Sequence, residues 1–581
     1  MTLFRLWAPE AVAVDLVLGD DGFRSGMQAS KGGWWQLEAP GAGPGSTYGF
    51  SVDGGPARPD PRSPSQPEGI DGPSAVVDQS AFRWSDQEWK GAPLAGAILY
   101  ELHVGTFTPA GTFDGVIGHL GHLVELGVTV VELMPVAEFS GDRGWGYDGV
   151  LLYAPHHTYG GPEGLKRLID ACHAHGLGVA LDVVYNHLGP AGNHLGAYGP
   201  YFTDRYKTPW GEAINYDGPD SDEVRRFFVD NALMWIRDYH VDGLRLDAVH
   251  AIVDTGAVHI LEELALEVEA LGRCLGRRCW LVAESDQNDP KLVGGRSTGG
   301  YGVDAQWSDD FHHALHTVLT GETSGYYEDF GDLGQLAYSL GHAFVYDGRY
   351  SSHRRRRHGR PIEGLPGGRF LGYSQNHDQV GNRARGERLS ELTTPGRLRI
   401  AAALELCAPF IPLLFQGEEW GASTPFRYFT DHRDPVLGGA VRDGRRREFA
   451  RFGWKPDDVP DPQDPQTWRR SILRWDELEE APHRDLLNWY RRLIALRRTE
   501  PGLRDGRLED VDVRHDSAKR WLTMRRGPVQ VVCNLASSRQ SVPLDRPGTL
   551  VLSSDQGAWV GPAAVDLDPD SVAVLCGGAQ V

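Results

Sequence analysis

Three acidic residues stand where a buried segment ends. Asp247 closes Gly243-Leu244-Arg245-Leu246, Glu284 closes Trp280-Leu281-Val282-Ala283, and Asp378 follows Phe370-Leu371-Gly372-Tyr373-Ser374-Gln375-Asn376-His377. A carboxylate at the tip of a buried strand is costly unless it faces a cleft or is paired. A single one could cap the N-terminus of a helix. Three in similar settings, each among further polar residues, point to one shared site. A small set of placed carboxyl groups is what cleavage or transfer of a glycosidic bond requires.

The elements that must hold these acids follow an alternating pattern from about residue 95. The candidate buried strands are Ala97–Val104, Val128–Leu133, Gly178–Val184, Gly243–Asp247, Trp280–Glu284, Val303–Trp307, Arg369–Ser374 and Ile411–Phe415. Amphipathic stretches such as Gly164–His175 and Asp222–Tyr239 lie between them. Repeated βα units with doubly buried strands imply a parallel sheet. Eight of them predict an α/β fold of the (β/α)8 TIM-barrel type, with the site on the loops after the strand C-termini. An open doubly wound sheet is the alternative, but no Gly-rich phosphate loop follows an early strand. Two connections, Leu188–Asp222 and Gly321–Gly368, exceed ordinary loop length and are expected to shape the substrate site. Short period-two segments before the barrel (Val12–Leu18, Gly33–Glu38) and after it (Val511–Val513, Trp521–Met524, Val529–Val532, Thr549–Leu552, Ser571–Leu575) predict two β domains. The expected division is an N-terminal β-sandwich over 1–90, ending in a Pro-rich linker, a catalytic barrel over 91–500 and a C-terminal antiparallel β domain over 501–581.

Bulk properties narrow the partners. The 581 residues carry a net charge of -21, with 40% hydrophobic and 24% charged residues. That balance argues against nucleic acid and anionic membrane, which attract basic surfaces. Cys172, Cys274, Cys279, Cys407, Cys533 and Cys576 show no paired metal spacing and read as reduced core thiols. The start, Met1-Thr2-Leu3-Phe4-Arg5-Leu6-Trp7, lacks the basic and apolar regions of a signal peptide. No run approaches the roughly 20 apolar residues of a membrane span, so a cytoplasmic location is expected.

Four motifs resemble the signatures of the α-amylase family of glycoside hydrolases, in the family's order. They are Leu181-Asp182-Val183-Val184-Tyr185-Asn186-His187, Gly243–His250, Val282-Ala283-Glu284 and Ser374-Gln375-Asn376-His377-Asp378. The resemblance implies Asp247 as nucleophile, Glu284 as general acid and then base, and Asp378 as transition-state stabiliser, with retention of configuration. It further implies Tyr147, in Gly144-Trp145-Gly146-Tyr147-Asp148, as an aromatic platform under the sugar. His187, Arg245, His250, Asn376 and His377 become substrate-binding residues, and Asp182 and Asn186 buttress the site. Arg245 lies two residues before Asp247, on the same side of the strand, and would keep it ionised. Glu284 needs a raised pKa, which the like charges of Asp247 and Asp378 would supply. The sequence shows no carboxylate cluster suited to calcium; no metal and no cofactor are expected.

Within the family the resemblance is finer to the members that cut the α-1,4 bond beside a terminal trehalose. The stretches that carry it are Arg58–Asp78, Ala305–Ala314, Arg354–Pro361 and Gly417–Ala422. It implies maltooligosyl trehalose and maltodextrins as ligands, and a partner enzyme that first converts the reducing end of a maltodextrin into trehalose. Asp309, Asp310, His312 and His313, with Tyr326, Tyr327 and Glu328, are the expected readers of the trehalose end. The run Arg354–Arg357 is expected on a solvated face. The N-terminal domain resembles the sandwich of branching and debranching enzymes, and its Trp34 and Trp35 are expected to support the barrel more than to bind glucan. The alternatives are a glucan branching enzyme, which transfers the glycosyl unit to a sugar, and a non-catalytic glucan-binding barrel.

Overall fold

The structure is a computed structural model and describes residues 2–19, 22–450, 454–455 and 458–577. Eight short parallel strands close into a barrel. Numbered in chain order, they are strand 1 (Leu99–Leu102), 2 (Val130–Leu133), 3 (Gly178–Val183), 4 (Gly243–Leu246), 5 (Trp280–Ala283), 6 (Ala305–Trp307), 7 (Phe370–Gly372) and 8 (Ile411–Phe415). Strand 8 pairs back to strand 1 through Leu413 and Leu99, which excludes the open sheet. Strands 6 and 7 are shorter than their apolar runs. After strand 7 the Ser374 N–H leaves the ladder for the buried carboxylate of Glu405, at 3.0 Å, and the chain turns toward the cleft there.

Two of the surrounding helices illustrate the packing. Gly161–Ala174 has Pro in its first turn and buries Leu165, Leu168, Ile169 and Cys172, the spacing of a core-facing stripe. Ser221–Asp238 does the same with Val224, Phe227, Phe228, Ala232 and Trp235.

The first long insertion folds into a hairpin, Phe202–Thr208 with Gly211–Ile214, whose turn carries Trp210. The second contains the helix Leu333–His342, which starts with a capping box of Asp332 and Gln335, and the two-residue ladder Tyr350–Ser351 with Arg356–Arg357. Asp310 ties this insertion down. Its Oδ2 accepts from the Val345 N–H at 2.8 Å, the Tyr346 N–H at 2.7 Å and Asn288 Nδ2 at 2.8 Å. Asp310 is therefore a structural anchor rather than a reader of substrate. Arg354 departs from the expected solvated face as well: it is partly buried and pairs with Asp286 at 3.1 Å. Arg355, Arg356 and Arg357 are exposed.

N-terminal to the barrel, a three-stranded and a four-stranded antiparallel sheet pack around Phe4, Leu6, Leu16, Tyr48 and Phe50. The Pro-rich segment that follows is a fixed strap, not a loose linker. Tyr48 donates to the buried Asp60 at 2.8 Å. Arg62 reaches the helix Ser221–Asp238 at Asp230, also 2.8 Å, and Tyr153 at 2.8 Å. Trp34 donates to Glu223 on that helix at 3.1 Å, and Trp35 to the Ala8 carbonyl at 3.0 Å. Trp34 thus serves contact with the barrel, and Trp35 the packing of its own domain. C-terminal to the barrel, five-stranded and three-stranded antiparallel sheets form the last domain. Arg397 of the helix Pro395–Cys407 meets its Asp570 at 2.8 Å. Among the described residues the six cysteines are free thiols, and no helix is long and apolar enough to cross a membrane.

Candidate active site

Strand 4 presents Arg245 and Asp247 to the barrel interior, two residues apart on one face. Arg245 is fully buried, and its guanidinium gathers three carboxyl groups. Nη1 lies 2.7 Å from Asp247 Oδ1 and 2.9 Å from each oxygen of Asp182, while Nη2 lies 3.5 Å from Glu284 Oε2. The same cation sits 4.3 Å from the centre of the Trp307 ring, which seals its back.

The two carboxyls at the C-terminal ends of strands 4 and 5 are shifted in opposite directions. Burial would raise Asp247, but Arg245, then His187 and the Asn186 Nδ2 hydrogen bond at 2.7 Å outweigh it and hold the carboxylate below its ordinary range. Burial pushes Glu284 up against the opposing charge of Arg245, and Asp247 and Asp378 add to the rise. Like charges were expected to tune Glu284; the structure ranks its burial first. Ala248 takes a left-handed φ of 39°, costly for a residue with a Cβ, and this turn aims its N–H at Glu284 Oε2 over 2.5 Å.

Asp378 stands across the cleft as the most accessible of the three acids, its Oδ1 3.1 Å from Asn382 Nδ2 and 3.5 Å from His377 Nε2. Tyr147 follows Gly146, whose φ of 98° and close approach to the Pro135 carbonyl leave no room for a side chain. The Tyr147 hydroxyl lies 2.6 Å from Asp182 Oδ2 and 2.7 Å from His377 Nε2, and its ring stacks on His377 at 5.0 Å. The ring is tied through its hydroxyl to the floor of the site.

The remaining expected residues divide into wall and support. Both ring nitrogens of His187 face protein acceptors, Asn186 Oδ1 and the Tyr147 carbonyl, so its ring, not a nitrogen, is left for a sugar. His250 is half-buried, 4.0 Å from Asp286. Asn376 is 1% exposed and caps the short helix His377–Gly381, its Oδ1 accepting from the Gln379 N–H, while its Nδ2 has no partner among the described residues. Asp309 accepts from the Tyr373 hydroxyl, and burial together with the charge of Glu284 pushes its carboxyl up to about 8. His312 is buried under it, stacked on Tyr373 and hydrogen-bonded to Tyr327 at 3.0 Å. His313 packs on Tyr326, and both Tyr326 and Tyr327 reach Gln379 at 3.4 Å. Glu328 lies farther out, paired with His353 at 3.4 Å.

Two neighbours escaped the sequence reading. Trp210 stacks on His187 with ring centres 4.4 Å apart and planes 4° from parallel, yet remains 49% exposed. Its turn signal, Thr208-Pro209-Trp210-Gly211, marked a loop but not which way it folds. Glu101, an acid inside an apolar strand like the others, binds His377 from below. Away from the cleft, Glu138, His156 and His157 bring possible ligand atoms within 4.8 Å of one another. Glu138 already accepts from the His157 N–H at 2.9 Å and from His157 Nδ1 at 2.8 Å, so its oxygens are partnered without an ion.

A closed barrel with two unlike carboxyls on one arginine and a third across the cleft defines a glycoside hydrolase of the α-amylase class. Family models agree: "Alpha amylase, catalytic domain" matches residues 76–196, "Carbohydrate-binding module 48 (Isoamylase N-terminal domain)" residues 1–63, and a "Domain of unknown function (DUF3459)" residues 506–574. The chain belongs to the malto-oligosyltrehalose trehalohydrolase family. It is 51% identical to the Arthrobacter ramosus member over 98% of this chain and 99% of the relative, and 49% identical to a Mycobacterium tuberculosis member over 99% of each. A glucan branching enzyme of Corynebacterium jeikeium is 30% identical over only 53% of this chain and 48% of its own length. Among solved structures, a Salmonella typhimurium protein named as an alpha amylase superposes with a TM-score of 0.91 at 40% identity, covering 99% of this chain and 97% of that one. A pullulanase from Anoxybacillus sp. LM18-11, complexed with maltotetraose, shares the fold at TM-score 0.73 and 18% identity, covering 99% and 86%.

Proposed function

We propose that this chain hydrolyses the α-1,4 bond beside the terminal trehalose of maltooligosyl trehalose, releasing trehalose and a maltooligosaccharide with retention of configuration. The observation that carries the chemistry is the division of labour around Arg245: two carboxyls on one guanidinium, Asp247 pulled down by that cation and Glu284 pushed up by burial. Asp247 attacks the anomeric carbon while Glu284 protonates the departing oxygen of the trehalose unit. Water, deprotonated by Glu284, then displaces Asp247. This double displacement needs carboxyls about 5–5.5 Å apart, and one shared guanidinium suits that spacing.

Asp378 stabilises the charge that develops on the sugar, over the Tyr147 ring and between the imidazoles of His187 and His377. His250 lies at the mouth of the cleft beside Glu284. Asp309, neutral over much of the physiological range, donates its O–H to the substrate at the trehalose side, with His312 fixing Tyr373 behind it. The substrate class follows the full-length family relationship. With it come a maltooligosyltrehalose synthase as the enzyme that makes the substrate, a cytoplasmic location, and domain limits of 1–90, 91–500 and 501–581.

Separate incubation with maltotriosyl trehalose, maltopentaose and amylose tests this. Free trehalose from the first, and little product from the others, is expected. New α-1,6 branches on amylose would replace the proposal with a branching transferase, and glucan binding without turnover on any of the three would replace it with a binding barrel.

A further inference from the structure

Beneath the cleft, Glu101 at the end of strand 1 is 1% exposed, and its two oxygens meet one residue. Oε2 accepts from the His377 N–H at 2.9 Å, and Oε1 lies 2.5 Å from His377 Nδ1. The carboxylate therefore fixes the backbone and the ring of His377 together. From the other ring nitrogen the chain of contacts continues through Tyr147 to Asp182, and from Asp182 to Arg245 and Asp247. Tyr147 has a single hydroxyl proton. Asp182 takes both its oxygens to Arg245; burial pushes its carboxyl up to about 7, and in its ionised form it accepts that proton, so that the hydroxyl accepts from Nε2–H of His377. Nδ1 must equally carry a proton to bind Glu101.

We propose that Glu101 is a positioning residue of the cleavage site, acting through His377: it orients the ring and keeps both nitrogens protonated, so that an imidazolium rather than a neutral imidazole stands beside Asp378 and under the sugar. The proposal deepens the hydrolase reading and rests on it. The groups that face His377 are Glu101 and His103 from strand 1 and its end, Glu132 from strand 2, Asp182 from strand 3, Arg245 from strand 4, and Tyr147 and Asp378 from the rim. Glu132 is buried and pushed well up by that burial and by the charges of Glu101 and Asp182. Arg245 pairs with Asp182 and Asp247, and its charge pulls the His377 ring down. Burial opposes a charge on His377, but Glu101 and then Asp378 outweigh it and raise the ring to about 9.

The test is E101Q in the full-length enzyme, which keeps the shape and removes the charge. The wild-type kcat/KM for maltotriosyl trehalose divided by that of E101Q should widen by about tenfold or more between pH 5.5 and pH 8, as the mutant ring loses its proton and the wild-type ring does not. E101D, which restores charge at shorter reach, should show a deficit that is constant with pH. A ratio for E101Q that is flat in pH overturns the proposal. In the wild-type protein alone, 15N spectra of the His377 ring, assigned by its absence in H377Q, should show both nitrogens protonated at pH 7.5; a neutral ring there overturns it whether or not E101Q folds. The ring measurement uses no substrate, so failure to release trehalose would count against the hydrolase reading and not against the role of Glu101.

Discussion

At the scale of single residues, the site works by giving chemically similar groups different surroundings. Asp247 and Glu284 touch one arginine, but Asp247 also receives Asn186, whereas Glu284 is governed by burial and by neighbouring carboxylates. E284Q should lower kcat by about 10²–10⁴-fold, the range for a lost general acid, while the melting curve stays that of a folded protein. Retained turnover would remove Glu284 from its role. Asp309 gives a second prediction. Its folded-state carboxyl is raised from 3.8 to about 8, so between those values the folded protein holds a proton that the unfolded chain has lost. Stability is fully present below about pH 4 and falls as pH rises toward 8, with a slope of at most about 1.4 kcal/mol per pH unit from this group. D309N should remove that share of the slope, so its denaturation midpoint gains on wild type from pH 5 to pH 8; parallel curves would contradict the assignment.

Between secondary-structure elements, the rim insertions do what the barrel strands cannot: they close the cleft and hold its far wall. Trp210 at the hairpin turn extends the wall over His187. W210A should lose about 0.5–1.5 kcal/mol of aromatic stacking, roughly two- to tenfold in kcat/KM for maltotriosyl trehalose. An unchanged value would make the stack incidental. D310A leaves the Val345 and Tyr346 N–H groups buried without a partner, which should cost about 1–3 kcal/mol each in a urea titration. The barrel strands were legible because a doubly buried strand is a plain apolar run, and the three acids because each interrupts or ends one. Asp310 was misread because it sits beside Asp309, which is only partly buried and bonds Tyr373 instead of backbone amides. Nothing in sequence says that one of two adjacent carboxylates turns back to hold backbone amides 35 residues away. Trp210 was missed for the same reason: a hairpin turn is visible locally, but its packing direction is decided by contacts that the local chain does not contain.

For the molecule as a whole, the three β and β/α units are joined by charged contacts rather than by flexible chain. Arg62 spans from the strap to Asp230 and Tyr153, and Trp34 to Glu223. W34A should therefore lower the melting temperature and leave the KM for long maltodextrins unchanged; the reverse result would turn the N-terminal domain into a glucan-binding device. The Pro-rich segment was legible as irregular but not as rigid. Proline and turn signals report the absence of regular structure, whereas the strap's order comes from Asp60 and Arg62, whose partners lie on other elements.

The central claim is a retaining cut that frees trehalose, and proton NMR of the fresh reaction tests it most directly. With maltotriosyl trehalose as substrate, the first products should be trehalose and maltotriose, the new reducing end of the maltotriose appearing as the α anomer before mutarotation. A β anomer at early times, or products that contain no trehalose, would contradict the account.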